Sequence, residues 1–265
     1  MIRKLSERDK EDVLNFLMEE ASYNLFIIGD ILNTGFDEDF MEIWGDFGGE
    51  GKINGVLLRY YGNFIPYWKS CELVDTEKFK KIISSHSKKK LVSGKYDIVV
   101  QFTDALKEFN ASRKFFCELK DASKLPVDDG KYEIRTAEVS DAGRLSDFIE
   151  SIDEFNNTGE DRDMLENSIR TGSGRFYFIE DANGSIVCAA GTSAETDYAA
   201  MVVDVATSPT YRNRGMASRC LSKLCKDTLK DCNNICLFYS NEKAGSIYHR
   251  IGFETTGNWM IAAEI

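Results

Sequence analysis

Apolar and polar positions change period several times along the chain, and those changes mark out its elements. In the second half Tyr132–Thr136 is extended, and Asp141 opens a helix with Leu145, Phe148 and Ile149 on one face. "RFYFIE" and "SIVCAAGTS" flank Asn183-Gly184, a pair that closes tight hairpins because both residues tolerate positive φ. "AAMVVDVAT" is nearly all apolar, which predicts a strand buried on both faces, and Pro209 ends it. Ala217, Cys220, Leu221, Leu224, Cys225 and Thr228 then fall on one helical stripe. "ICLFY" predicts a second buried strand. Ala244, Ile247, Tyr248 and Ile251 form the inner face of a last helix, which Gly252 ends. This order predicts an α/β (α+β) fold with a mixed sheet, antiparallel at first and parallel later, flanked by helices.

The pattern occurs twice. Ile2, Arg3, Asp9 and Phe16 match Ile134, Arg135, Asp141 and Phe148 at one offset of 132 (134 − 2, 135 − 3, 141 − 9, 148 − 16). The same shift carries Trp44 onto Phe176 and the turn "FGGEGKING" onto "EDANGSI". An offset near half the chain length implies two copies of one architecture. The polar segment "KDASKLPVDDG", residues 120–130, separates them, so the expected domains are residues 1–125 and 131–265.

Composition narrows the class. The 265 residues are 43% hydrophobic and 29% charged, enough for a core without staples. A net charge of −11 argues against a dedicated nucleic-acid surface. "MIRKLSERDKEDV" lacks the apolar stretch of an export signal, and no apolar run is long enough to span a membrane. The seven cysteines, odd in number and mostly in apolar runs, are expected to be reduced thiols in a cytoplasm. Two histidines and no Cys-x-x-Cys leave Cys232 and Cys236 reading as small buried hydrophobes, with no metal expected.

"YRNRGMAS", residues 211–218, lies between the buried strand and the striped helix. The first N–H groups of a helix lack internal partners, and the macrodipole puts partial positive charge there. Gly215 lets a ligand approach without a Cβ in the way, Ala217 and Ser218 are small, and Arg212 and Arg214 add charge. Such a place suits a diphosphate. The plainer alternative is a turn whose arginines are solvated.

Strand, Pro, Tyr-Arg-x-Arg-Gly-x-Ala and amphipathic helix together resemble the acyl-CoA loop of the GNAT N-acetyltransferase superfamily. Its [Gln/Arg]-x-x-Gly-x-[Gly/Ala] pattern is met by Arg212, Gly215 and Ala217. Asn241, Tyr248, Gly252 and Phe253 in "NEKAGSIYHRIGF" resemble the family's downstream block. The resemblance covers roughly residues 132–265, and the last hundred residues are most similar to C-terminal domains of glycine N-acyltransferases. It implies tandem GNAT-like domains whose first copy is degenerate. At the shifted position around Lys80 stands "KKIISSHSKKK" with no Gly, and the tract Lys88–Lys90 reads as solvated surface.

The resemblance implies an N-acetyltransferase using acetyl-CoA as cosubstrate and a small-molecule primary amine as acceptor. Val205, Ala206 and Thr207 would line the pantetheine arm. Arg212, Asn213, Arg214, Gly215, Met216, Ala217 and Ser218 would hold the pyrophosphate, with Asn241 and Ser246 also at the cofactor. Tyr248 would protonate the leaving thiolate. The base stays open. Where many members carry a strand glutamate, Met201, Val202 and Val203 stand, and Asp204 is expected to point away from the face of Val203 and Val205. Glu195, Asp197 or water are the alternatives. The competing readings are a non-catalytic acyl-CoA sensor and an interaction module that binds no CoA.

Overall fold

The computed structural model describes residues 1–127, 129–155 and 162–265, with only the backbone of Glu50. The chain divides into two compact units, Met1–Phe116 with Gly257–Ile265, and Cys117–Thr256. Each has the same order of elements. The first contains β1 (Ile2–Lys4), α1 (Lys10–Met18), α2 (Leu25–Thr34), β2 (Met41–Phe47), β3 (Ile53–Tyr60), β4 (Asn63–Trp68), α3 (Thr76–Ser85) and β5 (Leu91–Lys95). After the short α4 (Tyr96–Val99), β6 (Phe109–Leu119) leads out of it. The second contains β7 (Arg135–Thr136), α5 (Ala142–Glu150), α6 (Arg162–Thr171), β8 (Phe176–Glu180), β9 (Ile186–Ser193), β10 (Ala199–Thr207), α7 (Met216–Thr228), β11 (Asn234–Tyr239) and α8 (Glu242–Arg250). The chain closes with β12 (Glu254–Glu264).

Strand pairing repeats with the elements. The runs β1 to β4 and β7 to β10 are antiparallel neighbours, and the last pairs, β4 with β5 and β10 with β11, are parallel. The matched aspartates do the same job in both copies. The Asp9 carboxylate accepts from Ser6 N at 2.9 Å, and that of Asp141 accepts from Glu138 N at 3.1 Å. Each thereby ties down the backbone just before its helix. The Asn183-Gly184 hairpin forms with Gly184 at φ +79°, and the Asp181 carboxylate accepts from the amides of Asn183 and Ser185.

In the second unit apolar residues cover both sheet faces. On one, Ala200, Val202 and Val205 of β10 join Ile235 and Leu237 of β11 and the α7 stripe of Cys220, Leu221, Leu224 and Cys225. On the other, Val203 and Ala206 meet Leu145, Phe148 and Ile149 of α5 and Leu165 of α6. Each fully buried leucine on such a face contributes roughly 1.5–3 kcal/mol.

Three expectations change. Val203 and Val205 lie on opposite faces, because β10 carries one inserted residue. Val203 pairs with Gly191 but Ala206 with Ala189, and Asp204 has φ +53°. Simple alternation fails across such a bulge. Lys90 is not solvated surface; its ammonium is buried 2.9 Å from the Glu264 carboxylate, while Lys88 and Lys89 are exposed. The cause is β12, whose Trp259–Ala263 pair with Lys95–Leu91 in the first unit. Gly257–Ile265 accordingly cluster with the first unit. Finally, the segment around Lys80 lies within α3 and is not a loop. The turn before α3 ends at Asp75, whose carboxylate accepts from Lys78 N and occupies that helix N-terminus with negative charge.

Candidate functional site

The site candidate begins where β10 ends. Pro209 starts a single 3₁₀ turn, Pro209–Tyr211, and the Tyr211 hydroxyl lies 3.1 Å from the Asp181 carboxylate of the β8–β9 turn. Two left-handed residues follow, Asn213 at φ +63° and Gly215 at φ +79°. Asn tolerates that region and glycine favours it, so the sequence supplies the turn the backbone needs. Gly215 is the residue before α7, and the Arg219 amide is the first to bond back to it, at 3.3 Å to the Gly215 carbonyl. The amides of Met216, Ala217 and Ser218 have no carbonyl one turn earlier in the helix to accept from them. Met216 and Ala217 pack their side chains on the α7 face of the sheet, which fixes the helix start.

The two motif arginines are engaged. Arg212 donates through Nε to the Thr207 carbonyl at 3.0 Å and forks onto the Glu154 carboxylate at 3.0 Å through both terminal nitrogens. Arg214 donates to the Thr210 carbonyl and lies over the Tyr211 ring, 5.0 Å from its centroid. A third cation, absent from the sequence reading, stands at the loop. Arg219 Nη1 is 2.6 Å from where a Cβ on Gly215 would sit. Its Nε bonds the Asp129 carboxylate at 3.0 Å, and Tyr132 donates its hydroxyl to the Arg214 carbonyl. Helix geometry carried the missed signal. Side chains tilt toward the N-terminus, so a residue four places after the cap reaches back over it.

Beside the loop the sheet opens. β10 and β11 pair only from Ala199–Met201 to Asn234–Cys236. Val202–Thr207 and Leu237–Tyr239 continue past that point without pairing to each other, and the bulge at Asp204 bends β10 there. Val205, Met216, Ala217 and Tyr248 all pack on the same apolar cluster, so loop, opening and α8 share one face.

Tyr248 is half-buried, its ring 5.8 Å from that of Tyr239 and 6.1 Å from that of Phe253. Burial, with Cys117 nearby as a lesser cause, pushes its phenol up to about 12. Asn241 caps α8 by accepting from Lys243 N at 2.9 Å, and Ser246 donates to the Lys243 carbonyl at 2.7 Å. Ala206 packs on the α5 side, away from Val205.

The three candidate bases differ sharply. Asp204 is buried at the bulge and Asp197 is exposed in the β9–β10 turn. Glu195 grips Arg175 with both oxygens at 2.6–3.1 Å and accepts from the Thr192 hydroxyl. Burial alone would lower Arg175, but Glu195 and Asp231 outweigh it and hold the guanidinium above its ordinary value. A carboxylate so engaged serves as an anchor. Glu195→Gln is expected to change any turnover by less than about twofold while lowering the urea-measured stability by about 1–3 kcal/mol.

Six of the seven cysteines are buried free thiols, Cys232 and Cys236 among them, and Cys71 is exposed. Among the described residues no group of three or more His, Cys, Asp or Glu could hold a metal ion, and no helix is long and apolar enough to cross a membrane.

Residues 172–255 match the family model described as acetyltransferase (GNAT) domain. No curated protein matches the chain in sequence. Its fold is that of tandem GNAT acetyltransferases. A Drosophila protein of known crystal structure is similar over 100% of this chain and 98% of its own, with TM-score 0.77 and 10% identity. A tandem GNAT protein from the clavulanic acid biosynthesis pathway is similar over 99% and 97%, with TM-score 0.60 and 12% identity. A GCN5-related N-acetyltransferase from Sphaerobacter thermophilus is similar over 100% and 95%, with TM-score 0.65 and 12% identity.

Proposed function

We propose that the unit holding the GNAT match at residues 172–255 transfers an acetyl group from acetyl-CoA to a primary amine of a small molecule or amino acid. One observation carries this reading. The left-handed pair Asn213 and Gly215 turns the chain so that the first amides of α7, which have no carbonyl one helical turn earlier, stand beside the place where β10 and β11 cease to pair with each other. Those amides suit a diphosphate, Arg219 adds a guanidinium that is held in place by Asp129, and the edge of β10 that no longer pairs with β11 past Met201 suits an extended amide-bearing arm. The resemblance of the last hundred residues to glycine N-acyltransferase C-terminal domains favours an amino-acid acceptor. A reducing, cytoplasmic setting is part of the same reading, in keeping with six buried free thiols. The corresponding helix of the first unit begins differently. Asp75 already fills the N-terminus of α3, and its charge would repel phosphate.

The acetyl thioester is the substrate that brings the electrophile; the protein's own tasks are positioning and proton transfer. Tyr248 suits the acid, since burial keeps its phenol protonated at neutral pH. With Tyr248→Phe, kcat for thiol release from acetyl-CoA over a panel of amines is expected to fall about 10²-fold at unchanged KM for CoA. Unchanged turnover in that variant would remove Tyr248 as the acid.

A second reading, binding of the thioester without transfer, is favoured by one fact. Glu195, a candidate base, is committed to Arg175. Stabilisation by CoA with no turnover on any amine would decide for it.

A further inference from the structure

Behind Tyr248 runs a hydrogen-bonded chain with no part in the reading above. Cys117 Sγ lies 3.2 Å from Thr255 Oγ1, which lies 3.4 Å from Tyr239 Oη. Tyr239 Oη is in turn 3.1 Å from His249 Nε2, and Thr255 Oγ1 is 3.4 Å from the same nitrogen. The other ring nitrogen, Nδ1, is 3.0 Å from the Phe253 carbonyl. A carbonyl only accepts, so Nδ1 carries the proton and the neutral ring presents a bare Nε2. Tyr239 must then donate to Nε2. Thr255 donating to Tyr239, and the Cys117 thiol to Thr255, completes one consistent polarity from a buried thiol to an exposed imidazole.

The place of this chain in the fold gives it a use. Tyr239 ends β11, in the stretch that runs on past the last β10 pair. Gly245 is what admits it against α8, since a Cβ there would come within 2.5 Å of the Tyr239 ring. The ring of Tyr248 is 5.8 Å away. The geometry points to Tyr239 and His249 as the proton relay that deprotonates the acceptor amine, with Tyr248 as a separate acid. This inference rests on the transferase reading.

The protons balance as follows. An ammonium N–H bond breaks, and its proton passes to Tyr239 Oη as the Tyr239 hydroxyl proton passes to His249 Nε2. The imidazolium keeps its Nδ1 proton on the Phe253 carbonyl and later releases the new one to water. The freed amine nitrogen attacks the thioester carbon, the C–S bond breaks, and the thiolate takes the Tyr248 proton. Tyr239 touches the substrate, and His249 acts through it. Of the titrating neighbours, Cys117 on β6 and Tyr248 on α8 are both driven up by burial. Glu118, Arg250 and Glu254 are the charged residues that adjoin Cys117, His249 and Thr255 in the chain.

The test uses the full chain with acetyl-CoA and an amine panel, following thiol release across pH. For His249→Gln and Tyr239→Phe, kcat is expected to fall about 10²-fold near neutral pH, with the CoA-induced rise in melting temperature retained. The acid limb of the wild-type kcat/KM profile is expected to vanish in His249→Gln. Free imidazole is expected to restore part of the rate in His249→Ala, because the ring position is exposed. A wild-type profile and rate in His249→Gln would overturn the relay and leave the transferase reading standing. Failure of the unaltered protein to turn over any amine, while CoA still stabilises it, would overturn both.

Discussion

Gly215→Asp is expected to abolish the stabilisation of the protein by CoA while leaving it folded. Gly215 sits at φ +79°, directly before the amides of α7. A carboxylate there adds negative charge where the diphosphate's own charge would lie, and a side chain is strained in that backbone region. A loss of about 10²-fold or more in affinity follows, near 2.7 kcal/mol. At a CoA concentration about 100 times the unaltered protein's Kd, linkage predicts about 2.7 kcal/mol of stabilisation, which a hundredfold weaker variant reduces to about 0.4 kcal/mol. Gly215→Ala separates charge from bulk. Its Cβ meets the end of the flexible Arg219 side chain, which can swing aside, so only the φ strain of about 1 kcal/mol remains. Full CoA binding by the Asp variant would mean that the cradle lies elsewhere in the chain.

What the sequence made legible follows from how local each signal is. The α7 stripe, the buried run of β10 and the Asn183-Gly184 hairpin are written in neighbouring residues, and all three form as predicted. The repeat was legible because Asp9 and Asp141 each hold the start of a helix, a role that fixes the residue type. The bulge was hidden. Asp204 reads as one more alternating position, and only the register from Gly191 to Ala189 exposes the insertion. The partner of Lys90 was hidden for another reason. Glu264 is 174 residues away (264 − 90), and periodicity carries no information on such a pairing. Position by offset failed around Lys80 because the two copies differ in length before their matching helices. α3 starts at Thr76 and α7 at Met216, 140 apart (216 − 76), where the early matches are 132 apart.

Two residues of that difference lie on the path into the helix, where the copies diverge. β10 carries the extra bulge residue and is followed by eight residues, 208–215, before its helix, whereas β4 is followed by seven, 69–75. The longer path contains both left-handed residues and no acidic cap. The shorter one ends on Asp75, which satisfies the helix start from within. The same position in two copies of one fold thus either presents free amides or consumes them, according to the residue before the helix.

Asp30→Asn is expected to stabilise the protein by about 2–4 kcal/mol at pH 8 and to leave it unchanged near pH 4. Asp30 lies on α2, whose neighbours Leu25, Ile27, Ile28 and Ile31 are buried. Burial pushes its carboxyl up to about 7. An unfolded chain releases that proton near pH 3.9, so between about 4 and 7 the folded state binds the more protons. Stability then falls as pH rises through this window and is level above it, the reverse of the usual carboxylate. Asp9 is such a usual case. The Arg3 hydrogen bond holds it well below the ordinary range, so its contribution is present at neutral pH and lost in acid below about pH 4. His86, lowered by burial, acts in the upper part of the Asp30 window but cancels when variant and unaltered protein are compared at each pH. Urea midpoints of the two proteins from pH 4 to 8 are expected to diverge steadily and then run parallel. Coincident midpoints at pH 8 would show that the folded state accommodates the charged carboxylate, against the burial that surrounds it.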